Sequence, residues 1–176
     1  MQKLLTKGFS TIELLITLAI TFCMLLIVTP YMNQSLEKNR ALTYADTIKA
    51  ALKFARVSAI TLGEPTTFCG SKTAKTCDGD DAWNYGSIVA VIRSGKVLRI
   101  LPKPTTGVKL KLNTSGGKSH RVDFLPIGFT DVHQQGSFSY CPRDISNAKK
   151  ILFLPTGRVR IENLRRADQA TCESNN

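Results

Sequence analysis

An apolar segment near the amino terminus constrains this chain more than any other feature. It runs from Phe9 to Met32, and Glu13 is its only charged residue. As an α-helix it would be about 36 Å long, which exceeds the roughly 30 Å of a bilayer's hydrocarbon layer. An acidic side chain in that layer costs about 2.5–3.5 kcal/mol on insertion scales, so Glu13 is expected to have a function. The sequence therefore predicts a transmembrane half-helix over residues 9–32.

Residues 1–8 form a short basic leader before this segment. Lys3 and Lys7 favour the cytoplasmic side, so the rest of the chain is expected to face an extracytoplasmic space. A cleaved secretory signal peptide fits less well, because the apolar run is too long for such a peptide and no A-x-A site closes it. The small residue, Gly8, lies before the run instead.

The apolar periodicity continues past the transmembrane segment. Residues at spacings of four and three predict one stripe on a helix: Ala41, Ala45, Ile48, Leu52, Ala55, Ala59 and Leu62. Gly63 supplies a C-cap, and Pro65 follows it. The simplest interpretation is one helix from Phe9 to Leu62 whose amphipathic half covers residues 33–62. Pro30 is expected to kink or loosen this helix.

Residues 63–176 are expected to form a β-rich globular domain with a basic tail. Residues 68–83 have the character of a polar loop, and residues 163–176 look irregular. The predicted fold class is α+β, with the long N-terminal helix packed on an antiparallel β-sheet. The candidate strands are short apolar runs separated by turn signals, at residues 87–93, 96–102, 108–113, 120–126, 136–142, 149–155 and 157–162.

The cysteines agree with an extracytoplasmic domain. Cys23 lies in the apolar run, and the other four lie in the β-rich part: Cys69, Cys77, Cys141 and Cys172. An even number in an oxidising compartment indicates two disulfides, and sequence proximity favours Cys69–Cys77, which leaves Cys141–Cys172. A zinc site is the weaker alternative, because no C-x-x-C spacing is present.

The sequence contains no convincing catalytic motif. The two histidines, His120 and His133, lie in no recognisable site, and residues 116–119 lack the first glycine of a P-loop. Residues 78–81 resemble the start of a calcium loop, but the alternation of oxygen ligands breaks directly afterwards. We therefore expect no enzyme activity, no cofactor and no metal.

A dense group of arginines lies near the carboxyl terminus. If residues 157–162 form a strand, Arg158 and Arg160 project from one face while Val159 and Ile161 pack on the other. Arginine forks suit phosphate oxygens, and the chain has a net charge of +11. The sequence predicts a patch of Arg158, Arg160, Arg165 and Arg166 that is suited to the phosphates of a polyanion. The alternative is an ordinary solvated face of the sheet.

Four lysines are weaker candidates for the same patch. Lys149 and Lys150 precede the arginines in sequence. Lys109 and Lys111 alternate with apolar residues in the strand pattern of residues 108–113, which places both on one face.

The leader ending in Gly8, then Phe9, then Glu13 and a long apolar run containing Pro30 together resemble the type IV pilin class. The resemblance implies cleavage by a prepilin peptidase between Gly8 and Phe9 and methylation of the new amino terminus. It also implies that Glu13 meets the amino terminus of a neighbouring subunit in the filament. Such a chain would sit in the inner membrane with a periplasmic domain before it joins an extracellular pilus.

The carboxyl-terminal half resembles the FimT/GspH group of minor pilins and pseudopilins, most closely FimT. The residues that carry this are FLPIGFT at 124–130 and FLPTGRVRIE at 153–162. FimT-like proteins bind DNA in natural transformation through a G-R-x-R motif, here Gly157, Arg158, Val159 and Arg160. Gly157 is expected to allow close approach of the backbone.

This resemblance implies a minor pilin that binds extracellular DNA non-specifically, with major and other minor pilins as further partners. Two alternatives stay open. One is a GspH-like pseudopilin of a type II secretion system, and the other is a pilus assembly subunit that does not bind DNA.

Overall fold

The structure is a computed structural model that describes residues 10–105, 107–115, 120–131, 134–165 and 170–173. By compactness the chain divides into residues 1–39 and residues 40–176. Gly8, Phe9, His133 and Arg166, which the sequence singled out, lie outside the described residues.

Helix α1 extends over Thr11–Leu62, which confirms the prediction of one long helix. At its start the carbonyl of Ser10 accepts the N–H groups of Glu13 and Leu14 at 3.1 and 3.2 Å. At its end Gly63 has φ +66°, the left-handed geometry expected of a helix C-cap. Residues on both sides of Pro30 are helical, so the proline does not end α1.

The first part of α1 presents its apolar side chains to the surroundings. Ile12 is 62% exposed, Leu18 57% and Phe22 63%, and Glu13 is also exposed. Within the described residues, no helix combines the length and the apolar character that a membrane crossing needs. The transmembrane half over residues 9–32 stays a prediction.

The second part of α1 buries the stripe that the periodicity predicted. Its alanines, together with Ile48 and Leu52, are fully buried, and Ala51 joins them. Leu62 was predicted to belong to the stripe, but it is 51% exposed because α1 ends there and the chain turns at Gly63.

In the part of the chain that the structure describes, eight strands form two antiparallel four-stranded sheets, where the sequence predicted one sheet. Sheet A has the order β3-β2-β1-β5 and consists of β1 Thr66–Gly70, β2 Ser87–Val91, β3 Val97–Leu101 and β5 Arg121–Phe124. Sheet B has the order β4-β6-β7-β8 and consists of β4 Lys109–Thr114, β6 Gly136–Cys141, β7 Lys149–Phe153 and β8 Val159–Asn163.

Four elements within the described residues were not expected from the sequence, and one of them is a 3-10 turn at Ile145–Asn147. The other three are as follows. Strand β1 lies inside sheet A, although part of it had been assigned to the polar loop. A 3-10 turn at Asp80–Asn84 carries Trp83 into the core, where its side chain is 1% exposed. A short helix, α2 Ala170–Glu173, follows the last strand. Strand β1 and the turn at Asp80–Asn84 were missed because both are short and mix polar with apolar residues, so their sequences show no clear alternation.

Aromatic side chains fill the core between the elements. The ring centroid of Phe138 lies 4.9 Å from that of Trp83, 5.6 Å from that of Phe68 and 5.9 Å from that of Phe153. Both predicted disulfides are confirmed: Cys69 pairs with Cys77, and Cys141 pairs with Cys172.

Candidate nucleic-acid interface

The outer face of sheet B carries Arg158, which directly precedes β8, and Arg160, which lies on β8. Val159 is 7% exposed and Ile161 packs against the core, whereas Arg158 and Arg160 are exposed. The predicted alternation of residues 157–162 is therefore confirmed. Because β8 is the edge strand of its sheet, one of its sides has no neighbouring strand among the described residues.

The side chains of these arginines are not neutralised within the described part of the chain. There, the guanidinium groups of Arg158, Arg160 and Arg165 take part in no ion pair or hydrogen bond. Glu162 lies two residues after Arg160 on the same face and is the ladder partner of Lys150. The carboxylate is therefore offset by a lysine of the neighbouring strand, and the positive charge of Arg158 and Arg160 remains.

Lys149 does not belong to this surface. It had been proposed as a weaker contributor, but its side chain is 7% exposed and its ammonium donates a hydrogen bond to the amide oxygen of Asn163. The cause is register, because Lys149 shares a face of β7 with Ile151 and Phe153, and that face packs on the core. Lys150 lies on the opposite, outer face.

Lys109 and Lys111 do not flank the arginines. They lie on β4, at the other edge of sheet B, and β6 and β7 separate them from β8. Three strand spacings amount to about 14 Å. The ammonium of Lys111 donates to the carbonyl of Thr171 at 2.8 Å. Together with the Cys141–Cys172 disulfide, this bond holds α2 over sheet B.

Two turns with the same sequence motif meet beside Arg158. We call residues 125–129 turn A and residues 154–158 turn B. Each follows a buried phenylalanine and carries the sequence L-P-x-G. Their backbone hydrogen bonds correspond one to one. The N–H of Leu125 donates to the carbonyl of Phe129 at 2.8 Å, and that of Leu154 donates to the carbonyl of Arg158 at 3.0 Å.

The two turns are joined to each other and thereby join the two sheets. The N–H of Thr130, directly after turn A, donates to the carbonyl of Pro155 in turn B at 2.9 Å. Turn A follows β5 of sheet A, and turn B connects β7 with β8 of sheet B. The position of Arg158 and Arg160 therefore depends on both turns.

The glycines of the two turns make room for an arginine of α1. Gly128 has φ +81° and Gly157 has φ +73°, so both positions favour glycine. The Nε atom of Arg56 donates to the carbonyl of Gly128 at 2.8 Å. A Cβ at Gly157 would lie 2.7 Å from both Cδ and Nε of Arg56. Gly157 was expected to allow close approach of a ligand to the backbone, but Arg56 of the same chain already takes that space.

The sequence did not indicate Arg56 as a site residue. It is one of several basic residues on α1, and nothing local distinguishes it. The signal that could have revealed its surroundings is the repeated F-L-P-x-G at residues 124–128 and 153–157, which predicts two equivalent turns.

A cavity of about 420 Å³ lies elsewhere, beside the Cys69–Cys77 disulfide. Its lining includes His120, Asp123 and Asp131 but none of the arginines of β8. Asp123 is 7% exposed, and one of its oxygens pairs with Nε of Arg121 at 3.0 Å. Within the described residues, no three potential ligands converge on a metal position.

Asp78, the first carboxylate of the possible calcium loop at residues 78–81, forms hydrogen bonds within its own loop. Asp78 accepts hydrogen bonds from the hydroxyl of Thr76 and from the N–H of Lys72, each at 2.7 Å. The hydroxyl of Thr76 first, and then the N–H of Lys72, hold the pKa of Asp78 below its usual range. Asp78 therefore stabilises the disulfide loop.

Comparison with known proteins finds a family and a fold. The family model described as type II transport protein GspH matches residues 44–160, which include Arg158 and Arg160 but not the tail. The crystal structure of the type IV minor pilin FimU of Pseudomonas aeruginosa strain PAO1 is similar, with a TM-score of 0.57 at 19% identity, over 72% of this chain and 90% of that chain.

A second similar structure is the minor pseudopilin EpsH from the type 2 secretion system of Vibrio cholerae. Its TM-score is 0.52 at 12% identity, over 70% of this chain and 97% of that chain. At these identities the likeness is one of fold. Comparison with curated proteins finds no match.

Proposed function

The chain belongs to the GspH family of type IV pilin-like minor pilins and pseudopilins, and we propose that it is the subunit of a type IV pilus that binds extracellular DNA for uptake in natural transformation. Members of this family are structural subunits, and membership implies association with other pilins in a filament. Membership in the family does not imply DNA binding, which we propose in addition.

The observation that carries the proposal is the outer face of β8. Arg158 directly precedes the edge strand β8 and Arg160 lies on it, and both alternate with buried residues. Both side chains are therefore exposed, and their backbone positions are about 7 Å apart along the extended chain. Arg165 continues the charge, and Arg166, which lies outside the described residues, is proposed as the fourth member. Guanidinium groups bind phosphate oxygens with paired hydrogen bonds.

Recognition through this surface would be largely independent of sequence. Contacts to phosphates position a protein on DNA but do not read the bases. The arginines lie on a strand and in the tail after it, so the proposed contacts involve no recognition helix in the major groove. Random and genomic DNA are therefore expected to compete equally.

The amino-terminal half supports assembly in a filament. Its exposed apolar side chains, such as Leu15 and Phe22, need lipid or neighbouring subunits to cover them. We propose that a prepilin peptidase cleaves between Gly8 and Phe9, that residues 9–32 anchor the subunit in the inner membrane, and that Glu13 then pairs with the amino terminus of a neighbouring subunit. A charged partner would make a buried carboxylate tolerable.

The experiment that tests DNA binding measures its dependence on salt. Full-length protein in neutral detergent is titrated against a labelled duplex of random sequence between about 50 and 200 mM salt. Four phosphate contacts predict a slope of about −3.6 for log K against log salt. Arg158→Gln with Arg160→Gln should flatten this slope by about 1.8, because two contacts are lost.

A matched control removes the same charge elsewhere. Lys72→Gln with Lys75→Gln changes two exposed lysines in the disulfide loop, away from β8. This variant should keep the parent's slope. The proposal fails if the arginine variant is folded by circular dichroism and binds DNA with the slope of the parent.

The alternative is a pseudopilin of a type II secretion system that binds other pseudopilins and no DNA. The likeness to EpsH favours it. Under this alternative the parent protein does not bind DNA at about 50 mM salt, while loss of the gene impairs secretion.

A further inference from the structure

Arg56 of α1 is close to the DNA-binding surface proposed above, although about a hundred residues separate it from Arg158 in sequence. Its guanidinium lies against Gly157, the residue directly before Arg158, as the 2.7 Å spacing to a Cβ at that position shows. The side chain is half-buried, and its neighbour Ala55 belongs to the core. Arg56 therefore reaches turn B from inside the fold.

One nitrogen of Arg56 is used to hold the side chain in place. Nε donates to the carbonyl of Gly128 in turn A at 2.8 Å. A guanidinium has five N–H donors, so the bond from Nε leaves the terminal Nη1 and Nη2 groups with four. The hydrogen bond to turn A therefore fixes the orientation of the guanidinium group. The absence of a side chain at Gly157 leaves the space that the group occupies.

Among the described residues, the charge of Arg56 lacks a counter-charge. Within the described part of the chain no carboxylate forms an ion pair with it, and its hydrogen-bond partner is a neutral carbonyl. A partly buried charge is costly when it is left unpaired. Arg158 directly follows Gly157 in the chain, so Arg56 lies against the backbone next to the residue that carries a second unpaired guanidinium.

We propose that Arg56 binds a phosphate of the same DNA that contacts Arg158 and Arg160, with its terminal nitrogens directed at the phosphate oxygens. This inference rests on the proposed function. It adds a contact from a third segment of the chain. The bond to Gly128 holds the fork before DNA arrives, so less side-chain freedom is lost on binding than for a fully exposed arginine.

The test counts phosphate contacts in the full-length protein. With Arg56 as a fifth contact the parent's slope becomes about −4.5, and Arg56→Gln should return it to about −3.6. The loss of affinity between about 50 and 200 mM salt is then about 3.5-fold smaller than in the parent. Arg56→Lys keeps the charge and should keep the slope, while its affinity falls because the fork is lost. Lys75→Gln is the control for the loss of one exposed charge.

A role limited to holding the turns would give a different result. Arg56→Gln would then weaken binding without changing the slope, and that outcome overturns the proposal. If Arg56→Gln changes nothing while Arg158→Gln with Arg160→Gln flattens the slope, Arg56 does not contact DNA but the proposed function stands. If the parent does not bind DNA at all, both proposals fail.

A second measurement avoids substitution of Arg56. In the unmodified protein, the guanidinium N–H resonances of Arg56 should shift when a short oligonucleotide of random sequence is added, and they should return as salt is raised. They are assigned by their absence from the spectrum of Arg56→Lys. Resonances that stay in place while those of Arg158 move would exclude the contact.

Discussion

Turn A and turn B have the same pattern of backbone hydrogen bonds, but they expose different side chains to solvent. Both follow a buried phenylalanine, both place a glycine at positive φ, and both approach Arg56. Turn A exposes Ile127 at 72% and Phe129 at 46%, whereas turn B exposes Arg158. The shared F-L-P-x-G motif therefore determines the backbone conformation of both turns. The residues that differ between the turns determine which side chains are exposed on each.

The largest expected effect removes the anchor of either turn. Phe124 and Phe153 are 0% and 1% exposed, so Phe124→Ala and Phe153→Ala should each lower the free energy of unfolding by about 3–5 kcal/mol. Phe129→Ala is the control, because that ring is exposed, and it should stay within about 0.5 kcal/mol of the parent. Denaturant titration measures all three. A large loss at one anchor and none at the other would break the equivalence of the turns.

A smaller effect comes from the glycines. Gly157→Ala should cost about 2–4 kcal/mol, because alanine is strained at positive φ and its Cβ would displace Arg56. Gly95→Ala provides the control. It has φ +67° but open space around it, so it should carry the backbone strain alone, about 1–2 kcal/mol. Equal losses at both positions would mean that Arg56 moves aside without cost.

The smallest expected effect comes from placing an arginine on turn A, so that it exposes a guanidinium as turn B does. Ile127→Arg adds a guanidinium to an exposed position beside the arginine surface, and the salt slope for DNA should steepen by up to about 0.9. Ile100→Arg makes the same substitution at a position that is 60% exposed on β3, at the edge of sheet A, and should leave the slope unchanged. If both variants steepen the slope equally, DNA does not pass over turn A in particular.

Much of the fold follows from local patterns. The helix Thr11–Leu62 follows from a period of 3.6 residues and from Gly63, and seven of the eight strands follow from short apolar runs between turn signals. The exception is β1, whose five residues are all buried. Strand β2 is buried throughout as well, but its sequence SIVAV is a recognisable apolar run, whereas TTFCG of β1 has one large apolar residue.

Lys149 and Lys150 show that the local sequence pattern does not predict which face of a strand is buried. In the sequence of β7, apolar residues fall on both faces, since Ile151 and Phe153 alternate with Leu152. A shift of one residue exchanges the two faces, and only pairing with β6 and β8 decides which one meets the core. The structure buries Lys149 and leaves Lys150 outside for this reason.

The sequence by itself determined the helix, the Cys69–Cys77 pair and the outward direction of Arg158 and Arg160, because each depends on residues that are close together in the chain. The Cys141–Cys172 pair, whose cysteines are 31 residues apart, followed by elimination. Tertiary structure alone decided that β4 lies at the far edge from the arginines and that Lys111 holds α2. It also decided that Arg56 of the helix meets Gly128 and Gly157. These contacts join segments far apart in sequence, and only the packing of α1 and the two sheets around one core brings them together.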